Sequence, residues 1–198
     1  MKVRSILVAG LLGLVALVAG SPAYAAPHSP EATTDVIART EGATTLDAGT
    51  AAAGPYYLQF RHSGKCAEVP GASKSSGVAL DQWTCVSQAN EWWYLDYIFT
   101  DGNGYDFFRI RNANSGLCMN VGGGSTANGA HIIQYPCGAY GNEYFVFWAD
   151  GNVASGYFWV QAYSSGKVLN IAGGSTSNGA DLIQYSRCYC NNEYVRLG

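Results

Sequence analysis

The chain is poor in charge, with 11 Lys and Arg against 14 Asp and Glu in 198 residues. The basic residues are scattered, so no stripe exists to follow a phosphate backbone, and nucleic acid is not an expected partner. Helical periodicity is missing throughout. No second apolar run follows the first twenty-five residues, so no membrane span is expected. Nucleophile elbows and phosphate loops are absent, and His62 and His131 read as solvated turn or strand residues rather than bases. No second Cys or His pair stands at ligand spacing, which argues against zinc. Asp101-Gly-Asn103-Gly lacks the remaining ligands of a calcium loop and reads as a turn. Neither a metal nor a cofactor is expected.

What is present divides into three segments. Lys2 and Arg4 precede an apolar run from Ile6 to Ala19 and a small-residue site, Ala23-Tyr24-Ala25, so residues 1–25 read as a secretory signal peptide. Residues 26–54 are rich in Ala, Thr, Pro and Ser and hold no aromatic residue; they read as a disordered leader, propeptide or tether. Residues 55–198 carry all six cysteines and all but one of the aromatic residues, and form one domain by length. An even cysteine count after a signal peptide points to disulfides and a secreted, extracellular location.

The third segment repeats itself. Gly122 to Tyr135 and Ala172 to Tyr185 are nearly the same, and Pro70 to Trp83 is a degenerate copy with Ser76-Gly77 where the others have Asn-Gly. The units open with Ser63-Gly64-Lys65-Cys66, Ser115-Gly116-Leu117-Cys118 and Ser165-Gly166-Lys167-Val168. Each closes with Asn-Glu 27 residues after its opening serine. Runs such as Phe108-Arg-Ile-Arg and Phe158-Trp-Val-Gln between Ser-Gly and Asn-Gly signals read as strand, turn, strand. So short a unit cannot cover its own apolar face, and three copies, about 55–104, 105–155 and 156–198, must share one core. Val121, Ile132, Ile171 and Leu182 are candidates for it. The nineteen-residue spacing of Cys66 and Cys85, repeated in Cys118 and Cys137, predicts one disulfide clamp in each of the first two units. In the third, Val168 and Arg187 take the clamp positions, and Cys188-Tyr189-Cys190 follows as an odd pair that bridges in a tight turn, stays free or pairs between chains.

Ser-Gly-Leu-Cys-Met-Asn-Val from Ser115, Asn-Gly-Ala from Asn128, Ile-Gln-Tyr-Pro-Cys from Ile133 and Asn-Glu-Tyr-Phe from Asn142 resemble the repeat of ricin-B-type lectins, here family-13-like β-trefoil carbohydrate-binding modules of secreted bacterial type. The resemblance covers residues 55–198 in all three units. It implies an all-β β-trefoil, a six-stranded barrel capped by three hairpins with pseudo-threefold symmetry, and up to three sugar sites. Each site would combine a polar residue after the first cysteine position, an aromatic fifteen residues on and an Asn seven further. In unit one these are Glu68, Trp83 and Asn90, joined by Asp81. Unit two has Asn120, Tyr135 and Asn142; unit three has Asn170, Tyr185 and Asn192. The chemistry needs these types, because the C–H face of a pyranose stacks on an aromatic ring while amides and carboxylates fix its hydroxyls. The family's acidic residue survives only as Glu68, and Ile133 and Ile183 stand where unit one has Asp81. Glu91, Glu143 and Glu193 are supporting residues that hold the turn.

The expected function is therefore multivalent, non-catalytic binding of galactose- or xylose-type glycans or polysaccharide. The alternatives are a trefoil that binds or inhibits a protein and, behind it, a secreted glycoside hydrolase, whose paired carboxylates only a fold could bring together. Oligomeric state is left open.

Overall fold

The computed structural model describes residues 52–149 and 156–198. The expected signal peptide, residues 1–25, and nearly all of the expected leader lie outside the described residues. Strand β1 (Ala52–Phe60) takes in the last residues of the expected leader, Ala52 to Gly54, with Ala53 buried opposite Leu95. Ala-Ala-Gly carries no apolar alternation, so nothing in its sequence marked it as strand.

Eleven further strands follow, and no α-helix occurs among the described residues. They are β2 (Cys66–Glu68), β3 (Asp81–Trp83), β4 (Trp92–Thr100), β5 (Asp106–Asn112), β6 (Cys118–Val121) and β7 (Ile132–Tyr135). The rest are β8 (Phe145–Ala149), β9 (Phe158–Ala162), β10 (Val168–Ile171), β11 (Ala180–Tyr185) and β12 (Val195–Leu197). Six of them pair in a closed antiparallel ring, β1-β4-β5-β8-β9-β12 and back to β1. The remaining six form three hairpins, β2–β3, β6–β7 and β10–β11. The hairpins meet one another through Asp81↔Asp181, Ala79↔Ile133 and His131↔Ile183, so they cap the barrel as a triangle. This is a β-trefoil.

Its core is shared as short repeats require. Leu58, Phe60, Trp93, Ile110 and Phe145 come from the barrel, while Val121, Ile132, Ile171 and Leu182 come from the cap. Closing the ring removes every barrel edge that could pair with another chain. The opening turns need glycine: Gly64, Gly116 and Gly166 have φ of 66°, 72° and 66°, a region that a Cβ disfavours. Cys66–Cys85 and Cys118–Cys137 are bridged. In the chain-entropy model each closes a loop worth about 3 kcal/mol. Cys188 and Cys190 bridge each other, with Tyr189 between them at φ 60°.

A buried glutamine in each unit ties it to the preceding one. Gln134 Nε2 donates to the carbonyls of Ser73 (2.9 Å) and Ser75 (2.8 Å), and its Oε1 accepts from Ser115 Oγ (2.7 Å). Gln82 does the same to Ser175, Ser177 and Ser63, and Gln184 to Ser125, Ala127 and Ser165. All three side chains are fully enclosed. The repeat's Asn-Gly turn adds a second tie. Asn178 Oδ1 accepts from the backbone and hydroxyl of Thr84, and Asn128 Oδ1 from those of Ser186. The degenerate copy has Ser76 there, and the residue at its partner position is Pro136, which has no N–H to donate.

Candidate functional site

Paired residues of an antiparallel ladder project to one face. The β6–β7 register pairs Cys118 with Tyr135 and Asn120 with Ile133, which puts these four on the outer face of the hairpin, while Met119, Val121, Ile132 and Gln134 point into the core. The β2–β3 and β10–β11 hairpins keep the same register, so Trp83 and Tyr185 occupy the position of Tyr135. The three rings are 41%, 47% and 43% exposed for Trp83, Tyr135 and Tyr185, far from the complete burial of core aromatics such as Phe145.

Beside each ring a polar clasp recurs. Asn142 sits in the 3₁₀ turn Gly141–Glu143, and its Nδ2 donates to Asn120 Oδ1 (2.6 Å) and to the Val121 carbonyl (3.1 Å). Asn192 makes the same pair of bonds to Asn170 (2.7 Å) and Ile171 (3.0 Å). Asn90 makes them to Glu68 Oε2 (2.9 Å) and Val69 (3.1 Å). The clasp fixes the amide rotamers and leaves Asn120 Nδ2 and Asn142 Oδ1 without a partner among the described residues, one donor and one acceptor for a polar ligand. Glu91, Glu143 and Glu193 are fully buried under the turn. Their carboxylates accept from the backbone N–H of Val86, Gly138 and Cys188 respectively. They hold the loop that follows each ring and do not face solvent.

Unit one differs electrostatically. Asp81 lies opposite Glu68 on β2 and opposite Asp181 on β11, and its Oδ1 is buried with no hydrogen-bond partner. Burial first, then the charges of Glu68 and Asp181, push the Asp81 carboxyl up to about 7. Burial and the Glu91 charge also raise Glu68, against the hydrogen bond from Asn90. An acid whose folded pKa exceeds its unfolded value binds a proton that the unfolded chain releases, so stability falls as pH rises from about 4 to about 7. Asp81→Asn is expected to melt close to wild type at pH 4 and higher than it at pH 8. With Asp81 only partly buried, the gain is on the order of 1 kcal/mol, a few degrees. Identical melting of the two proteins at pH 8 would contradict this origin of the strain.

Every expected site residue thus falls on the outer face of a hairpin or in the turn beside it. The glutamines of the cap are further functional-site neighbours whose sequence signal is their place one residue before the ring in all three copies, Gln82, Gln134 and Gln184. A feature without a sequence signal is at the third clamp: Arg187, in a cysteine's place, lays its guanidinium 3.4 Å from the Trp159 ring centroid.

The model of the family described as ricin-type β-trefoil lectin domain-like matches residues 44–135 and 97–185. No curated protein matches the chain. Among solved structures, the designed threefold symmetric protein ThreeFoil is 34% identical, with TM-score 0.67 over 73% of this chain and 98% of the design. An exo-β-1,3-galactanase from Clostridium thermocellum is 26% identical, with TM-score 0.66, over 72% of this chain and 29% of that enzyme. The chain therefore spans less than a third of the galactanase. The ricin B-like lectin of Macrolepiota procera, solved with lactose, shares the fold at 16% identity, TM-score 0.58, over 74% of this chain and 96% of that one.

Proposed function

The chain belongs to the ricin-type β-trefoil lectin domain-like family, and from that premise we propose that it is a secreted, non-catalytic lectin that holds galactose- or xylose-type polysaccharide at two or three sites. The observation that carries the reading is the threefold recurrence of one constellation, a ring nearly half exposed beside an Asn whose amide is fixed by its neighbour. A half-exposed ring costs the fold burial energy that packing would have supplied, and its use is a flat apolar surface for the C–H face of a sugar. The partly identical galactanase supports the galactan side of the choice.

One stacked ring and a few solvent-exposed hydrogen bonds give a site of about millimolar affinity, near −4 kcal/mol. Sites spread around a threefold axis engage one polymer together, which raises avidity by roughly 10² or more. The purified chain is expected to be retained on insoluble galactan or xylan and to release no reducing sugar from either. Retention equal to that of a non-lectin control removes the lectin reading, and steady release of reducing sugar replaces it with the hydrolase.

A further inference from the structure

We propose a separate site for carboxylate-bearing polysaccharide on the barrel wall at the seam between units three and one, built on Arg61, Arg187 and Arg196. The wall there is a cross-strand array. Arg61 lies against Tyr157 and Tyr194, 5.3 and 5.7 Å from their ring centroids, and Tyr194 meets Trp159 edge-on at 6.3 Å. Beyond Trp159, Arg187 is held between two rings, 3.4 Å from the Trp159 centroid and 4.0 Å from that of Tyr189, which the Cys188–Cys190 turn holds 70% exposed. Arg196 lies on β12, next to the residue that pairs with Phe158 of β9, and donates to Gln59 (2.7 Å).

Stacking fixes a guanidinium by its faces and leaves its N–H donors, which lie in its plane, at the rim. Arg61 and Arg187 are exposed, and neither side chain has a hydrogen bond or carboxylate partner among the described residues. Of the two acids six residues from Arg187, Glu193 is fully buried and turned onto the Cys188 N–H, and Asp181 lies on β11 opposite Asp81 and forms no ion pair among the described residues. Three arginines without a counter-charge thus share one surface in a chain of net charge −3. The other two seams lack this: Cys85 and Cys137 stand at the position of Arg187, and Ala113 and Tyr163 at that of Arg61. In unit three Val168 and Arg187 occupy the positions that the two clamp cysteines hold in the other units.

A planar guanidinium presented edge-on matches a carboxylate with two parallel hydrogen bonds. Tyr189, 70% exposed beside Arg187, supplies apolar surface for a sugar ring. Arg187 follows the Tyr185 ring by two residues, so the array continues the strand that carries the third candidate platform. A polyphosphate draws its affinity from neutralising many charges along its backbone, which three arginines supply poorly and which makes no use of the exposed ring beside Arg187. The ligand class is therefore an acidic polysaccharide such as a polyuronate.

The test is retention of the full chain on polygalacturonate and on its fully methyl-esterified form, which keeps the sugars and removes the charge. Retention on the acid is expected to exceed that on the ester by about tenfold at low salt and to fall steeply as salt is added. Arg61→Gln with Arg187→Gln should abolish the difference. Arg187 also packs, so a second pair, Arg61→Gln with Arg196→Gln, leaves the Trp159 stack intact and should still lose most of the difference while neutral galactan is retained as before. Replacing Tyr135 and Tyr185 should leave the acid-dependent part in place, which separates this site from the trefoil platforms. Equal retention on acid and ester, or full retention by the Arg61/Arg196 variant, overturns the proposal. So does equally strong capture of a single-stranded oligonucleotide or an acidic protein, which would reduce the face to a general anion exchanger.

Discussion

The double variant Tyr135→Ala, Tyr185→Ala is expected to lose most of its retention on neutral polysaccharide, by about tenfold or more, and to melt within a few degrees of wild type. The two halves of that statement rest on different facts. Truncating a core aromatic costs about 3–5 kcal/mol because it removes contacts and leaves a cavity. Tyr135 and Tyr185 are exposed over 47% and 43% of their surface, so each truncation should cost under about 1 kcal/mol. Phe145→Ala, at complete burial, supplies the contrast. Binding responds the other way, because at each site the ring is the broad apolar surface, and losing two of three sites removes the avidity of a chain held at several points. What remains is unit one, with Trp83, Glu68 and Asp81. Early unfolding with undiminished binding by the folded fraction would make the tyrosines core residues and the site assignment wrong.

The fold was legible because repetition is a stronger signal than any single propensity. The Ser-Gly and Asn-Glu marks, placed 27 residues apart in each unit, fix the register of three hairpins at once, and the cysteine spacing agrees with it. The candidate site residues stood out for the same reason, since a ring on each hairpin is followed seven residues later by an Asn in the 3₁₀ turn beside it. What escaped depends on neighbours distant in sequence. Gln134 reads as an ordinary polar residue in an alternating strand, yet its partners lie 59 and 61 residues away in the preceding unit. The pKa of Asp81 is raised by burial first, then by Glu68 and by Asp181 of another hairpin, and the Arg187 stack needs Trp159 from the barrel. The first two are contacts between units, which a repeat seen one copy at a time does not contain, and the third joins a barrel strand of unit three to the loop after its hairpin.

Gln134→Ala tests the ties between units, and it is expected to be costlier than its position on a short strand suggests. The side chain is fully enclosed and makes three hydrogen bonds, two donated to the carbonyls of Ser73 and Ser75 and one accepted from Ser115. Alanine leaves those groups without a partner in a place where water replaces them poorly. A buried polar group stranded in this way costs about 1–3 kcal/mol, so the expected loss is about 3 kcal/mol, near ten degrees of melting temperature for a domain of this size. Exposed Gln88→Ala should cost under about 0.5 kcal/mol, which separates enclosure from residue type. Gln134→Glu keeps the shape but removes the donated N–H pair and buries a charge, so it should be at least as damaging as alanine. Since Gln82 and Gln184 make the matching ties around the axis, each should show a similar loss. Melting of Gln134→Ala within two degrees or so of wild type would mean that the shared apolar core alone holds the three units in place, with the glutamines filling space between them.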